Sequence, residues 1–400
     1  MPVRLQAVLG AGGTGKSFRI NQQLKADPKY AMRTATTGIA AVNMGSLPGV
    51  DDPTTINSAL QYFNTENLLR KFHQGKTIFP LKIIAKKYKN IVIDEISMMD
   101  AGTLDLIVMA VEQYNNRFND DLGIIVSGDP GQLPPVQGKP FFTAKCWPQF
   151  QVSFLTEVKR QEDTAFIEAL NLLRVGKAKE AAAWFADNIE FTDQINDRFR
   201  GTTFFSTNNE VDIFNKRCLS KLVGESKSYY AKLEGKPDPS WKNIPQRLEL
   251  KKGCIIQLLY NNLEYGFANG DSAIVNELWN NAVYISLLRK NKELFLRPRK
   301  LENFGINAKG YRETKPKGTL SVMHARLAYA LTVHKAQGLT LDAIQLDLKS
   351  TGSQWLAKQS GMLYTALSRV RSPEGLTIVG TPDDLVKCCY VNPGYLEWIR

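Results

Sequence analysis

Short apolar runs alternate with amphipathic stretches over residues 1–150 of the chain. The last two strand candidates are nearly continuous apolar runs, which are typical of parallel strands covered on both faces. Alternation of such strands with helices predicts a doubly wound α/β domain, whose ligands bind at the carboxyl ends of the strands. The pattern predicts strands at Arg4–Leu9, Ala31–Thr36, Asn90–Asp94 and Leu122–Ser127, and helices at Lys16–Lys25, Gly38–Met44 and Ala101–Tyr114.

A second α/β series follows a helical block at Asp163–Asn188 that is rich in Ala and Leu. Residues 226–322 interrupt this series with short β-like runs and with turn signals at Asn269-Gly270 and Asn280-Asn281. We therefore expect a small β-barrel inserted into a second α/β domain. The strands of the second series are predicted at Thr202–Ser206, Leu327–Val333, Ala343–Leu348 and Gly375–Val379, and those of the barrel at Cys254–Leu259, Ser272–Val275, Ala282–Leu287 and Glu293–Leu296.

Length and composition are those of a globular protein with two or three domains. The chain has 400 residues, of which 43% are hydrophobic and 22% charged. No apolar run approaches the roughly 20 residues that span a bilayer, and the N-terminus lacks a signal-peptide pattern. The five cysteines show no zinc-binding spacing. We expect a soluble intracellular protein with reduced thiols and no membrane contact.

The chain is strongly basic, with a net charge of +12 and a pI near 9.3. This charge indicates either a polyanionic partner or a solvated basic surface. Seven basic residues and no acidic one lie within residues 70–89, and ten basic residues accompany three acidic ones within residues 289–317. Both stretches fall between the chemical motifs described next.

A complete phosphate-binding loop spans residues 10–17, with the sequence Gly-Ala-Gly-Gly-Thr-Gly-Lys-Ser. It directly follows a predicted strand and opens a predicted helix, which is the context that the motif requires. Lys16 is expected to reach the β- and γ-phosphates, and Ser17 to hold Mg²⁺. The remaining residues of the loop are expected to surround the phosphates with backbone N–H groups; they are Gly10, Ala11, Gly12, Gly13, Thr14 and Gly15.

Two further strand ends carry candidate chemistry. Asp94 and Glu95 end an apolar strand, where Asp94 is expected to coordinate Mg²⁺ and Glu95 to polarise the attacking water. Gln132 follows the next strand, in the sequence Gly-Asp-Pro-Gly-Gln-Leu-Pro-Pro, and is a candidate sensor of the γ-phosphate. On propensity alone, that sequence is equally well explained as a tight turn.

The full run of motifs resembles superfamily-one helicases of subclass B, the group of Dda-type phage helicases, PIF-like helicases and RecD-type enzymes. The resemblance extends from Gly10 to Arg371, in the family's order, and the Dda-like pattern suggests a phage protein. Motifs Ia, Ib, IV, V and VI correspond to residues 34–41, 55–58, 155–161, 332–340 and 364–369. Motifs V (Thr-Val-His-Lys-Ala-Gln-Gly-Leu-Thr) and VI (Tyr-Thr-Ala-Leu-Ser-Arg) are highly specific.

The resemblance implies an ATP site shared between two RecA-like motor domains. Arg160 and Arg369 would be arginine fingers that reach the γ-phosphate from the second domain, with Gln161 and Gly338 as further nucleotide contacts. ATP and Mg²⁺ are the implied cofactors. Contacts to the DNA strand would come from Thr37, Thr55, Asn57, Asn208, Thr332, His334 and Lys335. For His334 a packed core position, and for Asn208 a place in a helix N-cap, remain alternatives.

The resemblance also assigns the domains. Residues 1–63 and 91–150 would form the first motor domain, 151–225 and 323–400 the second, and 226–322 an SH3-like barrel. Residues 64–90 would form a pin that separates strands, with Phe72 and Phe79 as candidate wedges or, alternatively, as packed side chains.

The chain departs from the family pattern at positions expected to contact the DNA strand and to select the nucleotide base. Asn57 stands where the family usually has His in motif Ib, and Pro130-Gly131 replaces bulkier residues in motif III. The glutamine-bearing helix that relatives carry before the first strand has no counterpart, so we expect poor discrimination among purine nucleotides. The chain ends soon after motif VI, so no additional catalytic module is expected.

We therefore expect an ATP-dependent helicase that moves 5′ to 3′ along single-stranded DNA and unwinds duplex at a fork. A cytoplasmic monomer, in a bacterium or a phage-infected cell, with a single-strand-binding protein as a partner, fits this function. Two alternatives remain: an RNA helicase or ribonucleoprotein remodeller, which 2′-OH contacts would distinguish, and a single-strand-binding protein with a vestigial ATPase.

Overall fold

The computed structural model divides into two compact units, Met1–Ser206 with Thr332–Arg400, and Thr207–Leu331. The structure describes residues 3–45, 47–157, 163–199, 201–205, 207–238, 241, 244–260, 262, 265, 267, 271–288, 292–306, 312–349 and 356–399. Within these residues, no helix is both long enough and apolar enough to cross a bilayer.

The first part of unit 1 is built on a six-stranded parallel sheet in the order β3-β2-β4-β5-β1-β6. Both central apolar runs, β4 and β5, are buried at every position, as their continuous hydrophobicity predicts. The doubly wound α/β architecture is thereby confirmed. The strands are β1 (Leu5–Gly10), β2 (Met32–Ala35), β3 (Thr54–Thr55), β4 (Asn90–Asp94), β5 (Gly123–Gly128) and β6 (Gln151–Leu155).

Six helices accompany this sheet, and α6 is the longest of them. Its N-terminus is capped by Asp100, whose side chain accepts a hydrogen bond from the Thr103 N–H, and it ends at Asn119 in the left-handed conformation. The helices are α1 (Lys16–Ala26), α2 (Gly38–Asn43), α3 (Ile56–Ala59), α4 (Thr65–His73), α5 (Ile78–Ala85) and α6 (Ala101–Phe118). Single 3₁₀ turns lie at Ile96–Met98, Phe141–Thr143, Trp147–Gln149 and Pro373–Gly375.

Residues 64–90, expected to form a pin, fold into α4 and α5. Both helices contact α6, and Leu68 and Leu81 are fully buried in the main core of the first sheet. Phe72 is partly buried against the same core, which favours the alternative that it is a packed side chain. Phe79 differs, because 44% of its surface is exposed.

Unit 1 continues with α7 (Thr164–Arg174), α8 (Ala178–Asn188), β7 (Glu190–Thr192) and β8 (Thr202–Phe205). The predicted helical block is two helices because Gly176, with φ of +77°, interrupts it. Asp163 caps α7 by accepting a hydrogen bond from the Phe166 N–H. These helices pack against each other through Phe166 and Phe185, both fully buried.

Unit 2 consists of helix α9 and antiparallel sheets. A capping box formed by Thr207 and Glu210 starts α9. The main sheet has five strands in the order β15-β14-β13-β12-β18, and a long hairpin, β16–β17, carries much of the basic stretch at residues 289–317. The unit is β-rich as predicted, whereas the SH3-like class of the barrel stays a prediction. Its elements are α9 (Asn208–Ser220), β9 (Lys227–Tyr230), β10 (Lys232–Gly235), β11 (Arg247–Leu250), β12 (Ile255–Leu258), β13 (Ser272–Leu278), β14 (Val283–Leu287), β15 (Lys292–Leu296), β16 (Arg299–Ile306), β17 (Arg312–Val322) and β18 (Ala325–Leu327).

The chain then returns to unit 1, where it completes a second parallel sheet with the strand order β8-β20-β21-β7. The sheet resembles the first in that its central strand, β20, is buried at every position. Two parallel sheets in one chain fit the predicted pair of motor domains. The returning elements are β19 (Ala330–Thr332, at the boundary between the units), α10 (Val333–Ala336), β20 (Ile344–Asp347), α11 (Met362–Leu367), β21 (Leu376–Val379), α12 (Pro382–Cys388) and α13 (Pro393–Trp398).

Candidate active site

The phosphate-binding loop lies between the end of β1 and the start of α1, as the sequence predicts. Gly13 and Gly15 have φ of +85° and +78°, a backbone conformation that side chains with a Cβ rarely adopt. At Gly10 a Cβ would lie 2.4 Å from the Leu155 carbonyl oxygen on the neighbouring strand β6. The glycines are therefore required both by the turn and by the close approach of β6.

Lys16 extends back over its own loop. Its Nζ donates hydrogen bonds to the carbonyl oxygens of Gly10, at 2.9 Å, and Ala11, at 2.8 Å. The Thr14 hydroxyl also donates to the Ala11 carbonyl. These contacts hold the ammonium group over the loop, at the position where phosphate oxygens are expected.

A hydrogen bond joins Ser17 and Asp94 beside the phosphate-binding loop. The Ser17 hydroxyl donates to the Asp94 carboxylate over 3.3 Å, which joins the start of α1 to the end of β4. A hydroxyl and a carboxylate are the hard oxygen ligands that Mg²⁺ uses together with substrate phosphates. Among the residues that the structure describes, no cluster of three His, Cys, Asp or Glu side chains could hold a metal without such a substrate. The pair fits the expected Mg²⁺ site.

Glu95 lies half-buried beside Asp94 in an unusual backbone conformation. Its φ of 54° is rare for a residue other than glycine, and such strain concentrates at functional sites. Burial raises the pKa of the Glu95 carboxyl above its ordinary value, and the Asp94 charge raises it further. Arg369 and Lys16 act in the opposite direction. The site therefore favours a carboxylate of increased basicity, as a general base requires.

Gln337, in motif V, bridges two of the predicted residues. Its side-chain amide lies 3.4 Å from a Glu95 carboxylate oxygen, 3.4 Å from the Gln132 side-chain oxygen and 3.2 Å from the Ser97 hydroxyl. Gln132 is itself buried. Sequence reasoning gave Gln337 no role, because nothing in its local pattern indicates contact with residues more than 200 positions away.

Arg369 reaches the same site from the segment that follows α11. Only 1% of its surface is exposed, and its guanidinium donates to the Thr365 carbonyl at 2.8 Å and to the Ser368 hydroxyl at 2.8 Å. It lines a cavity of about 380 Å³ together with the phosphate loop and both carboxylates. The other side chains around this cavity include Phe18, Ala40, Met44, Asp129, Gln132 and Thr340, beside the backbone of Gly338.

A chain of buried polar side chains, which sequence reasoning did not anticipate, borders the cavity. Tyr364 accepts a hydrogen bond from the Gly12 N–H at 3.1 Å and donates one to Asp129 at 2.8 Å. Arg174 forms an ion pair of 2.9 Å with the same carboxylate. Burial raises the pKa of Asp129, but the Arg174 and Lys16 charges outweigh it and hold the pKa below its usual range. Asp129 is therefore ionised at neutral pH.

The chain is similar in sequence and in fold to known helicases. A family model described as an AAA domain matches residues 2–194. The chain is 28% identical to the ATP-dependent DNA helicase PIF1 of Xenopus laevis over 97% of its own length and 60% of that protein. It is 26% identical to the Campylobacter jejuni Pif1 helicase over 93% of its length and 88% of that protein. The Pif1 helicase structure from Candida albicans superposes with a TM-score of 0.77, at 24% identity, over 100% of this chain and 95% of that one.

The chain is thus similar to Pif1 helicases over nearly its whole length, in sequence and in fold. It spans only about three fifths of the length of several animal relatives and most of the length of the bacterial ones. The narrower expectation of a phage Dda-like protein stays a prediction.

Three of the residues expected to contact the DNA strand lie at the starts of helices. The hydroxyls of Thr37, Thr55 and Thr332 each accept a hydrogen bond from a backbone N–H at the start of α2, α3 and α10. Asn57 is half-buried and Thr332 is buried. Threonine at these positions therefore has a local structural role, whatever it contacts in addition.

The remaining strand candidates differ in exposure. His334 and Lys335 are half-buried in α10, and burial lowers the pKa of His334, which keeps it neutral at physiological pH. Asn208 is exposed at the start of α9 in unit 2, directly after the capping residue Thr207. Arg160 and Gln161, the motif IV candidates, lie outside the described residues.

Proposed function

We propose that this protein is an ATP-driven motor that moves 5′ to 3′ along single-stranded DNA and unwinds duplex at a fork. The observation that carries the proposal is the cavity in unit 1. It brings Lys16, Asp94 and Glu95 from the first sheet together with Arg369 from the segment after α11. The relatives named as ATP-dependent DNA helicases support the same activity.

Three side chains around the cavity would act in ATP hydrolysis. Lys16 would exchange its two loop carbonyls for oxygens of the β- and γ-phosphates. Glu95 would accept the proton of the attacking water as the water's oxygen bonds to the γ-phosphorus. The bond between the γ-phosphorus and the β–γ bridging oxygen would break, and its electron pair would leave with ADP. Arg369 would stabilise the charge that develops on the transferred phosphoryl group, and Arg160 is proposed to assist it.

Ser17 and Asp94 would hold Mg²⁺ beside the bound nucleotide. When bound, the ion neutralises charge on the β- and γ-phosphates. Gln132 and Gln337 would orient Glu95, the proposed general base, and would respond to the presence of the γ-phosphate. The two amides lie within hydrogen-bonding distance of each other beside Glu95.

Movement along DNA requires contacts to the strand that do not depend on its base sequence. Hydroxyl, amide and cationic groups that face phosphates give such a grip. We assign it to Thr37, Thr55, Asn57, Asn208, Thr332, His334 and Lys335, with the exposed Phe79 as the wedge. A cytoplasmic monomer that works beside a single-strand-binding protein completes the proposal.

Substitution of Lys16 tests the motor. We expect Lys16→Ala to abolish ATP hydrolysis and unwinding while strand affinity stays within about twofold, because the P-loop lysine acts on phosphate. Lys25→Ala, an exposed lysine on the same helix, is the matched control and should behave as wild type. Unwinding by Lys16→Ala would end the proposal.

Tailed duplexes and homopolymers test polarity and strand class. Wild-type protein should unwind a duplex with a 5′ single-stranded tail and leave a matched 3′-tailed duplex intact. Its ATPase should respond to poly-deoxyribonucleotides more than to poly-ribonucleotides. The reverse preference would favour an RNA helicase, and strand binding without stimulated hydrolysis would favour a vestigial ATPase.

A further inference from the structure

Tyr364 makes a direct connection between α11 and the phosphate loop. Its hydroxyl accepts from the Gly12 N–H at 3.1 Å and donates to Asp129 at 2.8 Å, so both hydrogen-bonding functions of this buried group are used. Gly12 lies at the apex of the loop, and Tyr364 lies 352 residues further along the chain. One side chain therefore joins the loop that binds phosphate to the helix that leads to Arg369.

Asp129 is a rigid anchor for this hydroxyl. One of its oxygens accepts from the Arg174 side chain at 3.0 Å and from the Gly131 N–H at 3.0 Å, and the other accepts from Tyr364. Only 1% of the Asp129 side chain is exposed. Hydrogen bonds to a buried carboxylate are strong, because water does not compete for it.

The start of α11 also fits closely against the loop that contains Asp129. Gly361 precedes the helix with φ of +73°, and a Cβ there would lie 2.4 Å from the Gly131 carbonyl oxygen and 2.9 Å from that of Gln132. Backbone therefore touches backbone at this point. The hydroxyl of Tyr364 and this contact together define where α11 lies.

Arg369 depends on the position of α11, because its guanidinium is tied to that helix. Its Nε donates to the Thr365 carbonyl, one residue after Tyr364. A shift of the helix would consequently carry the guanidinium with it. Electrostatic stabilisation of a transition state is sensitive to displacements on the order of 1 Å.

We propose that Tyr364 is a positioning residue of the ATPase: its hydroxyl sets α11 in register with the phosphate loop and thereby presents Arg369 to the γ-phosphate. The inference rests on the proposed function, since it assigns Arg369 to ATP hydrolysis. It adds a residue that acts through another group rather than on the nucleotide itself.

Tyr364→Phe removes the hydroxyl and keeps the ring. We expect kcat for strand-stimulated ATP hydrolysis to fall about tenfold while KM for ATP changes by less than about threefold, because the lost interaction acts in the transition state. Tyr395→Phe is the matched control: Tyr395 is equally buried near Gly131, but its hydroxyl has no hydrogen-bond partner among the described residues. This control should keep the wild-type kcat.

A double-mutant cycle separates positioning from packing. We expect Arg369→Lys to retain measurable hydrolysis, because lysine keeps the positive charge. In that background Tyr364→Phe should lower kcat by less than about twofold, because residues that act as a unit are non-additive. A second tenfold loss in that background would overturn the proposal. So would a Tyr364→Phe protein that has a lower Tm and an unchanged kcat.

The same preparations keep the two hypotheses apart. Unwinding of the 5′-tailed duplex by wild-type protein tests the proposed function, whereas basal and strand-stimulated ATPase rates test Tyr364. A wild-type protein that hydrolyses ATP and does not unwind would end the motor hypothesis, while the ratio of Tyr364→Phe to wild-type rates would still decide the role of Tyr364.

Discussion

Glu95 shows how the end of a single strand produces catalytic chemistry. Its left-handed backbone conformation follows directly on β4, so the carboxylate turns into the cavity while the preceding Asp94 faces Ser17. The Glu95 N–H donates to the Asp94 carboxylate at 3.0 Å, which helps to hold the turn. Two adjacent carboxylates thereby acquire different surroundings and different tasks.

Gln337→Ala should move the acid limb of the pH–rate profile to higher pH. As the proposed general base, Glu95 would be active when ionised, and burial raises its pKa. Activity should therefore be lost on acidification above the pH at which an ordinary glutamate protonates. Gln337 lowers that pKa by donating to the carboxylate. Without it the pKa rises further, and the variant should lose more kcat at mildly acidic pH than at alkaline pH.

Steady-state kcat measured across pH checks this expectation. Gln22→Ala, which truncates an exposed glutamine on α1, is the control and should reproduce the wild-type profile. An acid limb at the same pH in Gln337→Ala and wild type would show that Gln337 does not influence Glu95.

The functional residues were predictable where they belong to one continuous sequence motif. Lys16 and Ser17 lie in a continuous motif between a strand and a helix, and the structure places them together with Asp94 as expected. Tyr364 and Arg174 were not predictable, because each acquires its role only when distant segments fold together. A buried tyrosine or arginine leaves no local pattern that distinguishes it from a packed side chain.

At the scale of elements, the sequence predicted the positions of strands more accurately than the function of individual segments. The apolar runs of β4 and β5 match the structure to within one residue. In contrast, residues 64–90 were assigned by resemblance to a pin, although their buried positions recur at helical spacing, as at Leu68 with Phe72 and at Leu81 with Ile84. The lysines of this stretch are mostly exposed; Lys82 lies on α5, whereas Lys76, Lys86, Lys87 and Lys89 lie in the segments that follow the two helices.

The contact between α7 and the loop after β5 is expected to be important for stability. Arg174→Met removes the partner of the buried Asp129 carboxylate and should cost about 3–5 kcal/mol at neutral pH, the usual effect of leaving one member of a buried pair unpaired. Lys177→Met is the control, since the Lys177–Glu180 pair is exposed, and should cost less than about 1 kcal/mol.

The pH dependence of this cost has a definite sign. Because the folded pKa of Asp129 is depressed, the pair stabilises the fold above the pKa of an unfolded aspartate, and the contribution is lost as pH falls through the folded value. Urea unfolding at neutral and acidic pH should therefore show the difference between Arg174→Met and wild type shrinking on acidification. Equal stability of Arg174→Met and Lys177→Met at neutral pH would contradict the assignment.

At the scale of the whole molecule, unit 2 has a hydrophobic core of its own. Inward-facing residues of β13 and β14, such as Val275 and Ile285, join Leu219 of α9 in one buried cluster. The alternating pattern predicted these strands within residues 226–322, and the compact unit that contains them spans residues 207–331. Helix α9 was missed as part of the unit, because a capped amphipathic helix gives no indication of which core it will join.

A fragment of residues 207–331 should fold without the rest of the chain. Its five-stranded antiparallel sheet and its buried cluster are formed entirely from residues within the fragment. A core of this kind supports cooperative unfolding in a domain of ordinary size. We expect a single urea transition with the same midpoint by circular dichroism and by tryptophan fluorescence, and amide protection concentrated in β12, β13 and β14.

Ile285→Asp places a charge in that core and should abolish the transition, since Ile285 is fully buried. Gradual, non-cooperative unfolding of the unmodified fragment would show that the core needs residues outside it. If the fragment unfolds cooperatively, the same transition should recur in the full chain at the same urea concentration and remain in Arg174→Met. That variant would then lose stability only in unit 1, which separates the nucleotide-binding part of the molecule from its β-rich unit in thermodynamic terms.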